Sequence, residues 1–304
     1  MAEQALPSSN IPNVKAAQYV KPSRFASKQF QERMGSIIAT IVVTIGALIV
    51  LFPVMWMLST SLKGQIEALK MPPTVFPVVP QWHNYYDALT FNPFGRYFLN
   101  TAYYAIMVMI GEALSCSFIS FGFARLRAPG RNMLFMLVLS TMMLPQQVTL
   151  IPRYILFSEL GWLNTYLPMI VPAWFGSAYL IFLVRQFYMT LPKEYDEAAF
   201  IEGASYFGIW WRIILPLSKP VLGAVAILSF MFHWNNYLEP LVYLNDNAKF
   251  TVQLGLSMFR TPFGGTPQHW LMAASLVVVL PCVVVFFFAQ RFFIQGIVIS
   301  GVKG

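Results

Sequence analysis

Six separate stretches of this chain are long and apolar enough to cross a lipid bilayer, and such segments leave few folds open. A membrane-crossing helix needs about 20 largely apolar residues to span about 30 Å of hydrocarbon. The stretches run Ile37 to Leu58, Phe98 to Ala124, Met133 to Ile151, Tyr166 to Val184, Pro220 to Leu238 and Leu271 to Phe293. Of all residues 57% are hydrophobic and 11% charged, against about 45–50% and about 25% in soluble domains. In hydrocarbon the backbone must satisfy its own hydrogen bonds, which favours a helical bundle. The expected fold is an all-α polytopic membrane protein with six transmembrane helices. Pro145, Pro168 and Pro172 interrupt the third and fourth spans, and the expectation there is kinks rather than ends.

Charge sets the orientation. Fourteen of the twenty Lys and Arg fall on one set of loops: the N-terminal arm, the second and fourth connections, and the tail. By the positive-inside rule that side is cytoplasmic, together with both termini. The net charge of +8 therefore reports membrane topology and membrane lipid, not a nucleic-acid partner. The apolar run behind the arm is too long for a signal-peptide core and has no small-residue cleavage site, so it reads as an anchor that stays. Three regions follow: a flexible cytoplasmic arm over residues 1–36, a transmembrane domain over 37–294, and a cytoplasmic tail over 295–304.

The fourth connection reads as two short helices, not a linker. Thr190 is placed to cap the first and Pro192 suits its first turn, while Glu194, Asp196 and Glu197 put negative charge near the positive end of the helix dipole. Gly203 permits a sharp change of direction. Ser205 is placed to cap a second helix rich in Tyr206, Phe207, Trp210 and Trp211, a composition suited to the membrane interface, and Pro216 stops it. The pattern Glu197-Ala198-Ala199, three residues, Gly203, nine residues, then Ile213-x-Leu215-Pro216 resembles the signature loop of ABC importer permeases. The bland alternative is an amphipathic loop with a glycine turn.

The resemblance implies a coupling helix between the fourth and fifth spans that docks on a separate ATPase subunit. It also implies a second permease subunit, two ATPase subunits and an extracytoplasmic sugar-binding protein in a bacterial inner membrane. No cofactor is expected in this chain. ATP and Mg belong to the partner ATPase, since no Gly-Lys-Ser or Gly-Lys-Thr occurs to cradle a phosphate. The chain is accordingly expected not to be an enzyme.

Four further stretches resemble carbohydrate permeases of the maltose and glycerol-phosphate type, in particular the shorter of two partner permeases. They are Thr60 to Lys63, Leu144 to Pro152, Phe232 to Leu241, and Gln295 to Gly304. Trp234, Asn235, Asn236 and Tyr237 are candidates for the solute pathway, because sugars stack on aromatic rings and exchange hydrogen bonds with amides. The packing alternative has the asparagines bonding across helices and Trp234 in the interface belt. By the same resemblance Phe263, Gly264, Gly265 and Thr266 belong to a loop that enters the binding protein.

Glu112 is an acidic residue deep in the second span, and such groups are functional candidates by default: a gate, a proton site, or a paired polar residue. The three histidines are too scattered for a metal, and Cys116 and Cys282 sit in apolar runs as small packing residues. Three rivals stand beside a sugar permease: a self-contained carrier driven by protons through Glu112, a membrane scaffold, and an ABC permease for a solute other than a sugar.

Overall fold

The computed structural model describes residues 28–260 and 266–301, and among them there are helices and turns but no strand. The chain divides into two units, one up to Met55 and one from Trp56 onward. Helix α1 (Lys28–Ser61) supplies the described part of the first. A single apolar helix has no core of its own, so its Ile, Val and Leu side chains require lipid. The proposed flexibility of the arm concerns positions that lie largely outside the described residues.

In the second unit the order is α2 (Gln65–Ala68), α3 (His83–Phe91), α4 (Phe94–Arg125), α5 (Arg131–Ser140), α6 (Gln146–Glu159), α7 (Leu167–Ile170) and α8 (Ala178–Thr190). There follow α9 (Glu194–Ile201), α10 (Tyr206–Ile209), α11 (Leu215–Leu217), α12 (Lys219–Trp234), α13 (Leu238–Tyr243), α14 (Val252–Ser257) and α15 (Gln268–Gly301). Helix α4 is the hub. It packs against α8 and α12, α12 packs against α15, and α15 packs against α3.

Among the described residues four helical stretches are long and apolar enough to cross a membrane, and two bent pairs bring the number to six if each pair is one span. Pro145 marks a break where a kink is expected, whereas Leu167–Thr190, which carries Pro168 and Pro172, runs as one candidate span. Residues 131–143 and 146–159 meet at 98°, because the residue before a proline is pushed out of the α region. Leu144 is accordingly extended (φ −82°, ψ 117°). Pro168 lies in the first turn of α7, and Pro172 in the first turn of a 3-10 segment, Pro172–Phe175. Gly176 then takes φ 88° before α8 begins. Pro53 and Pro281 are carried inside helices. Helix α15 continues through position 301, so no break in the backbone marks residue 295 as the start of a tail.

Small residues on α4 let its neighbours approach closely. Ser120 Oγ donates to the Ile181 carbonyl at 2.8 Å, and a β-carbon on Gly111 would lie 2.5 Å from the Trp174 ring. At the other end of the unit the Thr60 to Lys63 stretch has a structural explanation. The last carbonyls of a helix have no intrahelical partner. Here Asn84 Nδ2 donates to Ser61 O and Lys63 O at 2.8 and 2.9 Å, and the Lys63 ammonium sits 4.9 Å from the centroid of the Trp56 ring.

Candidate functional site

Helix α9 stands at the end of α8 and is turned back by a Schellman cap. Ala204 N–H donates to Ala199 O at 2.9 Å and Gly203 N–H to Phe200 O at 3.0 Å, with Gly203 at φ 79°. Both fixed features of the sequence pattern find a cause here. Gly203 takes the left-handed conformation, while Ala199 is buried against the bundle. Glu197, Ala198, Gly203 and Ile201 face outward, Ile201 with 88% of its surface exposed. Lys193, not Thr190, occupies the N-cap position, and it makes no side-chain cap bond. Thr190 is instead the last residue of α8, with its hydroxyl donating to Phe187 O.

The inner face of α9 is tied to α4 by Asp196. Its Oδ2 lies 3.3 Å from Arg125 Nε, both side chains are largely buried, and Arg125 Nη2 donates to Leu191 O at 2.9 Å. Asp196 Oδ1 has no hydrogen-bond partner. Burial pushes the Asp196 carboxyl above the usual carboxylate range; Arg125 opposes that shift, Glu197 adds to it and Lys193 opposes it.

Ser205 caps the next helix as expected, accepting from Gly208 N–H at 3.2 Å. Residues Trp210–Ile214 then form a π-turn leading into Leu215–Leu217, with Pro216 in the first turn. A proline cannot donate to the preceding turn, and a wider turn gives its ring room. The aromatic segment is split rather than uniformly interfacial. Tyr206, Phe207 and Trp211 are exposed, whereas Trp210 is buried and its Nε1 donates to Ser117 Oγ at 3.0 Å, which shares a 2.6 Å hydrogen bond with the Tyr188 hydroxyl. Ile213 and Leu215 pack beside it, and Pro216 is exposed. Ser117, Tyr188 and Arg125 thus anchor the loop. In the sequence Arg125 is one of the basic residues of the second connection, with nothing nearby to mark it as an anchor.

A second polar assembly lies inside the bundle. His233 Nε2 is 3.7 Å from Glu112 Oε2, and His233 Nδ1 shares a 2.9 Å hydrogen bond with the Tyr104 hydroxyl. Asn236 Nδ2 donates to the same hydroxyl at 3.2 Å and to Glu239 Oε2 at 2.8 Å. Glu239 Oε1 in turn meets Gln146 Nε2 and Arg153 Nη1, each at 3.1 Å. The Leu144 to Pro152 and Phe232 to Leu241 stretches therefore converge on Glu239. Glu112 is a member of this chain of polar groups, not an isolated carboxylate.

The four pathway candidates separate. Trp234 is 3% exposed, stacks on Phe230 with centroids 5.3 Å apart, and donates from Nε1 to Val278 O at 3.1 Å. It packs in the core, because the phase of α12 turns it toward α15. Helix α12 ends at Trp234, so Asn235, Asn236 and Tyr237 stand beyond it, where the fifth span had been drawn on to Leu238. Asn236 bonds across helices, as the packing alternative has it. Asn235 donates to Met231 O at 2.8 Å, and Tyr237 is exposed. Phe263, Gly264 and Gly265 lie outside the described residues, while Thr266 is half-buried just before α15. No group of three or more potential metal ligands occurs among the described residues.

Residues 113–299 match the family described as the binding-protein-dependent transport system inner membrane component. The chain belongs to this family. It is a multi-pass inner-membrane permease of an ABC importer, not an enzyme. A system of that kind implies a partner permease, an ATPase and a binding protein. The permease is 34% identical to an arabinooligosaccharide transport system permease protein of Halalkalibacterium halodurans, over 90% of this chain and 100% of that one. It is also 34% identical to an sn-glycerol-3-phosphate transport system permease protein of Yersinia pestis, over 86% of this chain and 95% of the relative. The fold of the permease matches a chain of a bacterial ABC transporter involved in importing the acidic polysaccharide alginate. That match has a TM-score of 0.76 and 21% identity, and covers 88% of this chain and 99% of the other.

Proposed function

We propose that this permease carries a sugar across the inner membrane as one of two permeases working with two ATPase subunits and one external binding protein. The observation that carries the coupling role is the two-sided build of α9. Asp196 and Ala199 fix its inner face, while Glu197, Ala198 and Gly203 are left open for a partner. Both termini and the α9 loop lie on the cytoplasmic side, where the basic residues concentrate. ATP, with its Mg, binds to the ATPase subunits. Closure of the ATPase pair moves α9, and the Arg125 and Trp210 anchors pass that movement to α4 and α8 as a rearrangement of packed helices.

Support for sugar as cargo comes from the arabinooligosaccharide relatives. A second reading, import of a glycerol phosphate, is favoured by relatives named for that solute at the same identity. The test is reconstitution of the complete transporter in proteoliposomes, with uptake of arabinotriose and of sn-glycerol 3-phosphate compared. ATP-dependent arabinotriose uptake is the expected result. Uptake of the phosphate alone replaces the first reading with the second.

A further inference from the structure

Glu112 and His233 face a recess of about 340 Å³ between α4, α8 and α12, a volume toward the lower end of the range of small-molecule sites, about 300–1,000 Å³. Its α12 wall is made by Leu228, Ser229, Phe232 and His233, the last three at the i, i+3, i+4 spacing of one helix face. Trp234 is the next residue, turned about 100° away by the helix phase. Ser229 is 2% exposed, and its hydroxyl is buried without a hydrogen-bond partner. A buried hydroxyl in that state leaves its desolvation uncompensated. The carboxylate of Glu112 has its contact with His233 at 3.7 Å, too long for a good hydrogen bond. The α8 wall is its first turn. There Ile181 N–H makes the first intrahelical bond, to Ser177 O at 2.8 Å, and the N–H groups before it have no partner within the helix. Phe232, 58% exposed, and Tyr179 supply aromatic surface at the rim.

A carboxylate with no close hydrogen bond, an unpartnered hydroxyl, helix N–H groups and aromatic rings, set in a largely apolar recess, match the hydroxyls and C–H faces of a saccharide. We infer that Glu112, Ser229 and the first turn of α8 form a saccharide subsite in the membrane interior, with Phe232 and Tyr179 stacking on the ring. Hydroxyls donate to the Glu112 carboxylate, exchange hydrogen bonds with Ser229 Oγ and accept from the α8 N–H groups. An acidic residue at the recess offers a phosphate no compensating positive charge, so the subsite favours an uncharged saccharide. This inference rests on the sugar-import reading and adds the residues that bind.

The test uses the complete transporter in lipid nanodiscs carrying Leu228→Cys, at a lining position that makes no proposed contact with the saccharide, and measures labelling of that thiol by N-ethylmaleimide against arabinotriose concentration. Cys116 and Cys282 are buried, which keeps background labelling low. Arabinotriose is expected to protect the thiol and sn-glycerol 3-phosphate to leave it reactive. Adding Glu112→Gln raises the half-protecting concentration about ten- to hundredfold, the range for losing a hydrogen bond to a charged group, and Ser229→Ala raises it about two- to tenfold. Arabinotriose uptake by the Glu112→Gln transporter without the Leu228 change shows a raised KM at wild-type expression. Absence of protection, equal protection in all variants, or protection by the phosphate overturns the subsite while leaving sugar import standing. A change in labelling that follows lipid composition and not saccharide also overturns it, identifying an acyl chain as the occupant. Failure of the wild-type transporter to import arabinotriose overturns the sugar-import reading, and the subsite with it.

Discussion

Gly203 and Trp234 illustrate how single positions carry opposite kinds of information. A β-carbon on Gly203 would meet no atom within 4 Å, yet the residue sits at φ 79°. The cost of Gly203→Ala is therefore conformational, about 1–2 kcal/mol for a left-handed residue. Gly203→Asn is expected to lose less, because asparagine tolerates that conformation. A bulky residue such as Leu adds volume on the open face of α9. The expected result for Gly203→Leu is normal membrane insertion with loss of ATPase co-purification or of ATP-driven uptake; full uptake by that variant would contradict the docking role. Trp234→Ala removes a buried ring and is expected to cost about 3–5 kcal/mol of stability, read as a large drop in melting temperature of the purified chain. Trp234→Phe retains most of that stability. If Trp234→Phe instead raised the transport KM at unchanged stability, the residue would have to face solute.

At the scale of elements, the Arg125 to Asp196 contact decides how firmly α9 is held. Breaking a buried pair by deleting one member costs about 3–5 kcal/mol, because the other charge is left uncompensated. Arg125→Ala is thus expected to raise hydrogen exchange over residues 194–203 strongly, and Asp196→Asn far less. The pH dependence follows from the raised Asp196 carboxyl. Its folded value lies above the unfolded one, so the folded state binds more protons between the two. The stabilisation is complete below the usual carboxylate range and is lost as pH rises through the raised value. After correction for intrinsic exchange, α9 is expected to exchange more slowly in mild acid than at neutral pH, and the difference should vanish in Asp196→Asn. A pH-independent α9 in the wild-type chain would count against this assignment. Both helices of this loop were legible in the sequence, because proline, glycine and serine act on the backbone beside them. The Arg125 anchor was not, since it depends on Asp196, a partner far away in the chain.

For the molecule as a whole, the helices of the unit from Trp56 onward make a scaffold crossed by one polar chain from Glu112 to Arg153. As a permease of a multi-subunit importer, the chain alone in proteoliposomes is expected to take up no solute. Adding the partner subunits, binding protein and ATP should give uptake that a proton uncoupler leaves unchanged. Uncoupler-sensitive uptake by this chain alone would revive the proton-carrier reading through Glu112.

Apolar length alone determined that the chain is a helical membrane protein, since hydrocarbon permits so few solutions. Local backbone chemistry determined the α9 turn, because a Schellman cap needs only a helix end and a glycine. Tertiary structure decided which face of α12 looks inward: Trp234 and His233 are neighbours in sequence, yet about 100° apart around the helix. It also turned Pro145 from a kink into a 98° break, and joined Glu112, His233 and Glu239 into one network. Such choices depend on which helix packs against which, and that pairing is set by contacts between residues far apart in the sequence.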